Sequence, residues 1–306
     1  MYRVRKQIGC DQVSYTGRRI HVVYLDTGVC FHPDLKDRIE GFHDFVGNGT
    51  EPYDDNGHGT HVVGCLAGDG RISHGRYRGI APESRIWSGK ILDHAGNGEL
   101  SSLLKAMEWV ITLLDDHPIH IVNISVGAGN LKDSPEFRYL TELIQFLVDK
   151  DVFIFCAAGN FSSDVHMISI LGKLEGVVTV GCHEGGLWQG RSNLCQNYSC
   201  LGDPKAKGIL RKPDLVAPGT DIISCNVHYR ITGNRVWNAY CKKSGTSMAT
   251  PIAAGAAALY KEKFPESTVH DYKIALANSC EDLGLPFYKQ GFGMLNIPKL
   301  LQEREA

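Results

Sequence analysis

Four short segments hold side chains able to act chemically on another molecule. Leu25-Asp26-Thr27-Gly28 places a carboxylate at the end of an apolar run. Asp54-Asp55-Asn56-Gly57-His58-Gly59-Thr60-His61-Val62-Val63-Gly64 frames an imidazole with glycines at the mouth of an apolar, helix-like stretch, where it has no packing reason to be. Cys156-Ala157-Ala158-Gly159-Asn160 offers a side-chain amide among small residues. Gly245-Thr246-Ser247-Met248-Ala249-Thr250-Pro251 sets a hydroxyl at the opening of an Ala-rich helix, where free backbone N–H groups can meet developing negative charge. Each segment alone has a plain structural reading: Asp26 closing a loop, Asn160 in a turn, Ser247 as a helix N-cap. Together they supply a carboxylate, a base, an amide donor and a nucleophile. A serine hydroxyl is a poor nucleophile without an adjacent base, so their joint presence points to an activated serine. His58 and His61 are three apart with no Glu between them and do not match the His-Glu-x-x-His metal pattern; His61 is expected to be a buried, hydrogen-bonded structural residue.

Something must carry these residues, and the chain alternates short β-rich runs with longer helical ones. The runs Ile20 to Leu25, Arg85 to Leu92, His120 to Val126, Val152 to Cys156, Val177 to Val180 and Asp221 to Ser224 are apolar and bounded by Gly, Pro, Asp or Asn. They read as strands buried on both faces of a parallel sheet. Leu100, Leu103, Leu104, Met107 and Ile111 share one helical face, as do Leu140, Leu143, Ile144, Leu147 and Val148. Ala249 to Tyr260 is small enough in side chain to pack tightly on a sheet. The alternation predicts an α/β fold with a mostly parallel central sheet and helices on both faces. Ligand chemistry in such sheets gathers at the C-terminal ends of strands, where Asp26 and Asn160 fall.

Composition narrows the function classes. With 306 residues and 43 % hydrophobic against 22 % charged, the chain can bury a large core, which excludes a disordered or collagen-like protein. A formal charge of −2 lacks the basic footprint of a dedicated nucleic-acid binder. No apolar run approaches the ~20 residues of a membrane span, and Met1 to Ile20 is too charged for a signal peptide. The expected partner is therefore neither nucleic acid nor membrane, and a cytoplasmic protein with reduced thiols is expected. The ten cysteines show no spacing of a disulfide framework, and Cys182, Cys195 and Cys200 near His183 show none of a zinc site. Cys65, seven residues after His58, is expected to pack in the core.

The three segments around Asp26, His58 and Ser247, in this chain order, resemble the signature motifs of the subtilisin-like serine proteases. Gly79-Ile80-Ala81-Pro82, Asn123-Ile124-Ser125-Val126-Gly127, Lys212-Pro213-Asp214-Leu215-Val216-Ala217-Pro218-Gly219 and Gly291-Phe292-Gly293-Met294-Leu295-Asn296 are similar to further motifs of that family, so the likeness runs from about Gly17 to about Pro298. The lead-in Glu51-Pro52-Tyr53-Asp54-Asp55-Asn56 looks most like the bacterial intracellular members.

The resemblance implies a three-layer subtilisin-like domain over residues 18–306 after a short N-terminal extension, 1–17. It implies peptide-bond hydrolysis through an acyl-enzyme, with Ser247 as nucleophile, His58 as base, Asp26 orienting it, and Asn160 with the Ser247 N–H as oxyanion hole. Gly96-Asn97-Gly98 and Ser125-Val126-Gly127 would be the edges that hold a peptide or unfolded protein substrate. Leu92 and Val126 would line apolar subsites, and Ala158 and Gly159 would lie beside the cut. No cofactor would be required, with Ca²⁺ a possible ligand. Many members bind Ca²⁺ with the Asp of a His-Pro-Asp-Leu segment, here Asp34, and a following loop; here that loop, Gly68 to Arg78, is basic and lacks the usual ligands. Tyr198-Ser199-Cys200-Leu201-Gly202 and residues 161–176 also depart from the family pattern and put the shape of the specificity pocket in question. With few residues ahead of the matched region, the protein is expected to fold unaided and be active at once, or to be silenced by its own N-terminal segment. A dedicated leader-peptide processing protease and an inactive, peptide-binding relative are the alternatives. A lipase-type hydrolase is disfavoured by the absence of a Gly-x-Ser-x-Gly elbow.

Overall fold

The apolar runs become strands whose alternate side chains feed two separate cores. The structure, a computed structural model, describes residues 1–126, 134–161, 167–184 and 198–302. Seven strands form the central sheet: β1 (His21–Asp26), β2 (Ile39–Asp44), β3 (Arg85–Lys90), β4 (Ile119–Ile124), β5 (Phe153–Ala157), β6 (Val177–Cys182) and β7 (Leu215–Ala217). Their order is β2-β3-β1-β4-β5-β6-β7, and every neighbouring pair is parallel. The chain adds strands on one side of β1 as far as β3 and then crosses to the other side at β4. That reversal opens a crevice at the carboxyl end of β1, next to Asp26.

Side-chain parity assigns the faces. Val22 and Tyr24 of β1 and Phe153 and Phe155 of β5 join one core; Val23, Leu25, Ile154 and Cys156 join the other. The first core is covered by α1 (Tyr2–Gln7), α2 (His58–Ala67), α5 (Thr246–Lys263) and α6 (Val269–Ser279). The second is covered by α3 (Leu100–Leu113) and α4 (Pro135–Asp149) through the leucine faces foreseen from their spacing. Each fully buried Leu, Ile or Val in these layers contributes roughly 1.5–3 kcal/mol. By the same parity Asp26 turns toward the α2 and α5 face. The alanines of α5, Ala253 to Ala258 around Gly255, let it lie close: a Cβ on Gly255 would sit 2.6 Å from Ile80 Cβ. Local sequence also sets helix starts. Ser134 caps α4 by accepting from Phe137 N, with Pro135 in the first turn, and Thr268 and Asp271 form a capping box on α6.

Two elements differ from expectation. The run near Ile222 is β8 (Ile222–Cys225), but it pairs antiparallel with β11 (Tyr240–Lys243) outside the main sheet; it follows a Pro-Gly turn that redirects the chain before the sheet could be extended. Between them β9 (Arg230–Thr232) and β10 (Arg235–Trp237) form a separate hairpin. The first ten residues contribute one face to the first core. Met1, Val4, Ile8 and Cys10 are buried, the Met1 amine donates to Ile223 O at 3.1 Å, and Arg3 pairs with Glu184 at 2.8 Å. No helix among the described residues is long and apolar enough to cross a membrane.

Candidate active site

β1 ends by delivering Asp26, 2 % exposed, beneath the first turn of α2. Its Oδ1 accepts from Thr27 N at 2.7 Å and lies 2.7 Å from His58 Nδ1. Its Oδ2 is buried with no hydrogen-bond partner among the described residues, so apart from the Thr27 N–H the carboxylate acts on the imidazole. Burial opposes the His58 cation, but the charge and hydrogen bond of Asp26 outweigh it and hold the pKa above the ordinary imidazole value.

His58 is placed by a dense polar frame. Asp54, 6 % exposed, accepts from Thr27 Oγ1 at 2.9 Å, Asn56 N at 3.1 Å and Gly57 N at 2.7 Å through Oδ1, and from Thr60 N at 2.8 Å through Oδ2. Thr27 Oγ1 in turn accepts from Gly59 N at 2.9 Å. The orphan N–H groups at the start of α2 are thus tied to the end of β1. Gly59 is required for the contact, since a Cβ there would lie 2.1 Å from Gly28 O. Lys90, 1 % exposed at the end of β3, braces the same corner by donating to Thr27 O and Leu92 O at 2.8 Å and pairing with Asp55 at 2.7 Å. Further along α2, His61 bonds Ile222 O through Nε2 at 3.0 Å; burial pushes its pKa down to about 3, so it is a neutral structural residue as its setting suggested. Cys65 is fully buried beside it, and burial pushes its thiol up to about 12.

The half around Ser247 is sparser. Ser247 opens α5, where its N–H has no partner within the helix. Its Oγ donates to Ser125 O at 2.8 Å, not to His58, so reaching the base takes a side-chain rotation; loose hydrogen bonds of this kind are common before substrate binds. Pro251 sits four residues later inside α5 and has no N–H to offer the Ser247 carbonyl. Asn160 follows β5 and is exposed. Its Oδ1 accepts from Thr246 N at 3.0 Å, which turns Nδ2 toward the Ser247 turn, and a Cβ on Gly245 would crowd that Nδ2 at 3.3 Å. The Asn160 segment is fixed by backbone bonds to its neighbours, Phe161 N to Tyr198 O at 2.6 Å and Cys200 N to Gly159 O at 2.9 Å.

Beside His58 runs a groove of about 660 Å³ walled by Leu92, Gly96, Asn97, Gly98, Ser125 and Val126. Leu100, Leu103 and Asn56 also line it and were missed from the sequence, although Leu100 and Leu103 belong to a helical face that was read only as core. No residue before Thr27 lines the groove, so the N-terminal segment lies away from it. Ala158 is fully buried and Gly159 half-buried, and neither is among the groove's walls. Gly127 lies outside the described residues.

The loop after α2 does not present calcium chemistry. Asp34 Oδ1 accepts from Ile72 N at 3.0 Å and Oδ2 from the Tyr240 hydroxyl, while Arg71 pairs with Asp69 and Asp37 at 3.1 and 2.7 Å. A guanidinium already neutralises the Asp69 and Asp37 oxygens, and those of Asp34 are taken by an amide and a hydroxyl, so the residues present do not fit the ion. Cys182 corrects the expectation that every thiol is reduced: it is disulfide-bonded. Spacing along the chain says nothing about the Cβ separation that decides pairing.

A family model described as the subtilase family matches residues 17–294. Serine protease AprX of Bacillus subtilis (strain 168) is 36 % identical over 286 residues, covering 90 % of this chain and 64 % of AprX, so the chain spans less than two thirds of that relative. Subtilisin Savinase of Lederbergia lenta is 32 % identical over 270 residues, covering 88 % of this chain and 86 % of the relative. Among solved structures, a cold-adapted subtilisin-like serine proteinase aligns with a TM-score of 0.71 at 26 % identity, covering 93 % of this chain and 90 % of that one.

Proposed function

The chain belongs to the subtilase family, and on that premise we propose that it is a serine endopeptidase acting on peptides or unfolded segments. The observation that carries this reading is the 2.7 Å Asp26–His58 pair, set with the Ser247 turn around Ser125. Ser247 Oγ rotates from Ser125 O, gives its proton to His58 Nε2 and forms a bond to the substrate carbonyl carbon. The carbonyl π pair moves to oxygen, which the Asn160 Nδ2 and Ser247 N–H groups stabilise. Collapse breaks the C–N bond, and His58 passes its proton to the departing amine. Water then repeats the sequence on the acyl-ester and frees Ser247. Asp26 holds the Nδ1–H tautomer and stabilises the transient imidazolium without taking the proton.

The groove supports a substrate bound as an extended strand between the 96–98 segment and the Ser125 edge, where backbone bonds give sequence-tolerant affinity. The apolar walls at Leu92, Leu100, Leu103 and Val126 favour apolar side chains ahead of the cut. Loop residues 68–78 are held by the Arg71 ion pairs in place of calcium, and no cofactor takes part.

The test is labelling by a fluorophosphonate together with cleavage of an unfolded protein. Both are expected in the native chain, and Ser247→Ala should lose labelling and about 10⁶-fold in turnover, the magnitude known for subtilisins themselves. Folded protein that neither labels nor cleaves would instead be a peptide-binding relative.

A further inference from the structure

A hairpin stands beside the catalytic imidazole but outside the substrate groove. Its root touches the His58 turn: a Cβ on Gly57 would lie 2.7 Å from Val227 Cγ1. The root is fixed by Asn226 N donating to Ala239 O and Asn226 Nδ2 to Asn238 O, both at 2.9 Å, and by the Tyr229 hydroxyl donating to Phe31 O at 3.0 Å. None of its residues walls the groove. A chain lying in the groove and continuing past His58 would bring its leaving-group half toward the hairpin.

The hairpin's surface is built for contact. Among the described residues β9 and β10 pair only with each other, about the two-residue turn Gly233-Asn234 with Gly233 at φ +56°. The register sets Thr232 opposite Arg235 and Arg230 opposite Trp237. Cross-strand partners share a face, so one face carries Arg230, Arg235 and Trp237, all exposed, with Trp237 at 52 %. The other carries Ile231, 62 % exposed, and Phe31 at the root is 46 % exposed. Between Ile222 and Gly245 the chain has four Lys or Arg and no Asp or Glu. Lys242 has Asp221 at 3.5 Å, whereas Arg230 and Arg235 meet no carboxylate among the described residues. Trp237 and Ile231 are bare on opposite faces, and the outer edges are unpaired among the described residues, so the hairpin offers a strand edge, two apolar contacts and unneutralised cations to a partner. It complements an extended acidic segment that carries apolar residues.

We infer that the β9–β10 hairpin is an exosite that binds an acidic, extended segment of the substrate downstream of the cleaved bond. The inference rests on the endopeptidase reading and adds to it the substrate class. Ile231 is four residues from Val227, no more than about 14 Å along the chain, so the acidic residues fall about four positions beyond the cut.

The experiment uses the full chain and three peptides identical up to the cut and for three residues beyond it. They differ in the next six residues: Asp/Glu-rich, Gly/Ser or Lys-rich. A short anilide with nothing downstream is the control. The acidic tail should raise kcat/KM about fivefold to tenfold over the neutral one at low ionic strength, chiefly through KM. High salt should erase the gain. Arg230→Gln with Arg235→Gln should reduce it, and Arg230→Glu with Arg235→Glu should reverse it, leaving anilide turnover unchanged. Equal rates on acidic and neutral tails, a preference that survives charge reversal, or a dimer that the reversal dissolves would each overturn the exosite. Failure to turn over the anilide would overturn the endopeptidase reading instead.

Discussion

The two halves of the site are held by different means. On the base side, Asp26, Asp54, Thr27 and Lys90 are all buried, and hydrogen bonds link β1, β3 and the first turn of α2 into one corner. On the nucleophile side, Ser247 is half-buried, Asn160 is exposed, and the serine hydroxyl rests on a single carbonyl that it must leave to react. On the proposed mechanism His58 is therefore set before substrate arrives, and Ser247 is aligned by a small late rotation. A buried polar frame is stiff because any loosening leaves unsatisfied groups, whereas one partly exposed hydrogen bond exchanges easily.

This contrast can be broken at either half. Asp26→Asn should cost about 10⁴-fold in kcat by presenting the wrong tautomer at His58, as in other serine-protease triads. The same variant sharpens the electrostatic claim. Catalysis needs neutral His58, and its pKa lies above the ordinary value because Asp26 outweighs burial. The acid limb of kcat/KM should then lie above the usual imidazole value of about 6.5 in the native chain and move down in the variant; a limb that stays put would detach Asp26 from the base. Asn160→Ala should lower kcat about 10²- to 10³-fold with KM little changed, again the family's own magnitude, and unchanged turnover would remove that amide from the mechanism.

Asp54→Ala strikes the frame. It strips three N–H groups and the Thr27 hydroxyl of their acceptor and should destabilise the fold by about 1–3 kcal/mol, with a lowered Tm and a smaller loss of kcat than Asp26→Asn. Retained Tm would show the frame to be redundant. The smallest effect is in the pH dependence of stability. Burial pushes His61 down to about 3 and His120 down to about 4. The unfolded chain takes up protons at these groups that the folded chain refuses, so stability falls as pH drops below about 6.5, by up to about 1.4 kcal/mol per unit for each group. The His120 contribution levels off near pH 4 and that of His61 near pH 3. Urea melts from pH 7 to 5 should show the slope, and His120→Gln should remove one proton's share of it.

Much of this was readable before the structure. Buried parallel strands announce themselves as apolar runs, and β1, β3, β4, β5 and β6 fall where those runs lie. β2 was not foreseen because an edge strand with half-exposed residues, Ile39–Asp44, carries no apolar run. The motif residues located the site, but Lys90 and Asp54 act through burial and hydrogen bonding, which residue type alone does not reveal. Leu100 and Leu103 were visible only as a helical stripe; the side open to the groove depends on how α3 lies on the sheet. The β9–β10 hairpin did have a signal, Gly233-Asn234 between Ile231 and Val236, but its flanking runs are too short to stand out as strands.

Pro251 lends the nucleophile one more property. With no amide hydrogen reaching back to Ser247, the opening turn of α5 is jointed to the rod behind it and not welded. The chemistry asks only the Ser247 side chain to turn, and the alanine-lined shaft, fully buried from Ala253 to Ala258, stays seated in the core whichever way that hydroxyl points.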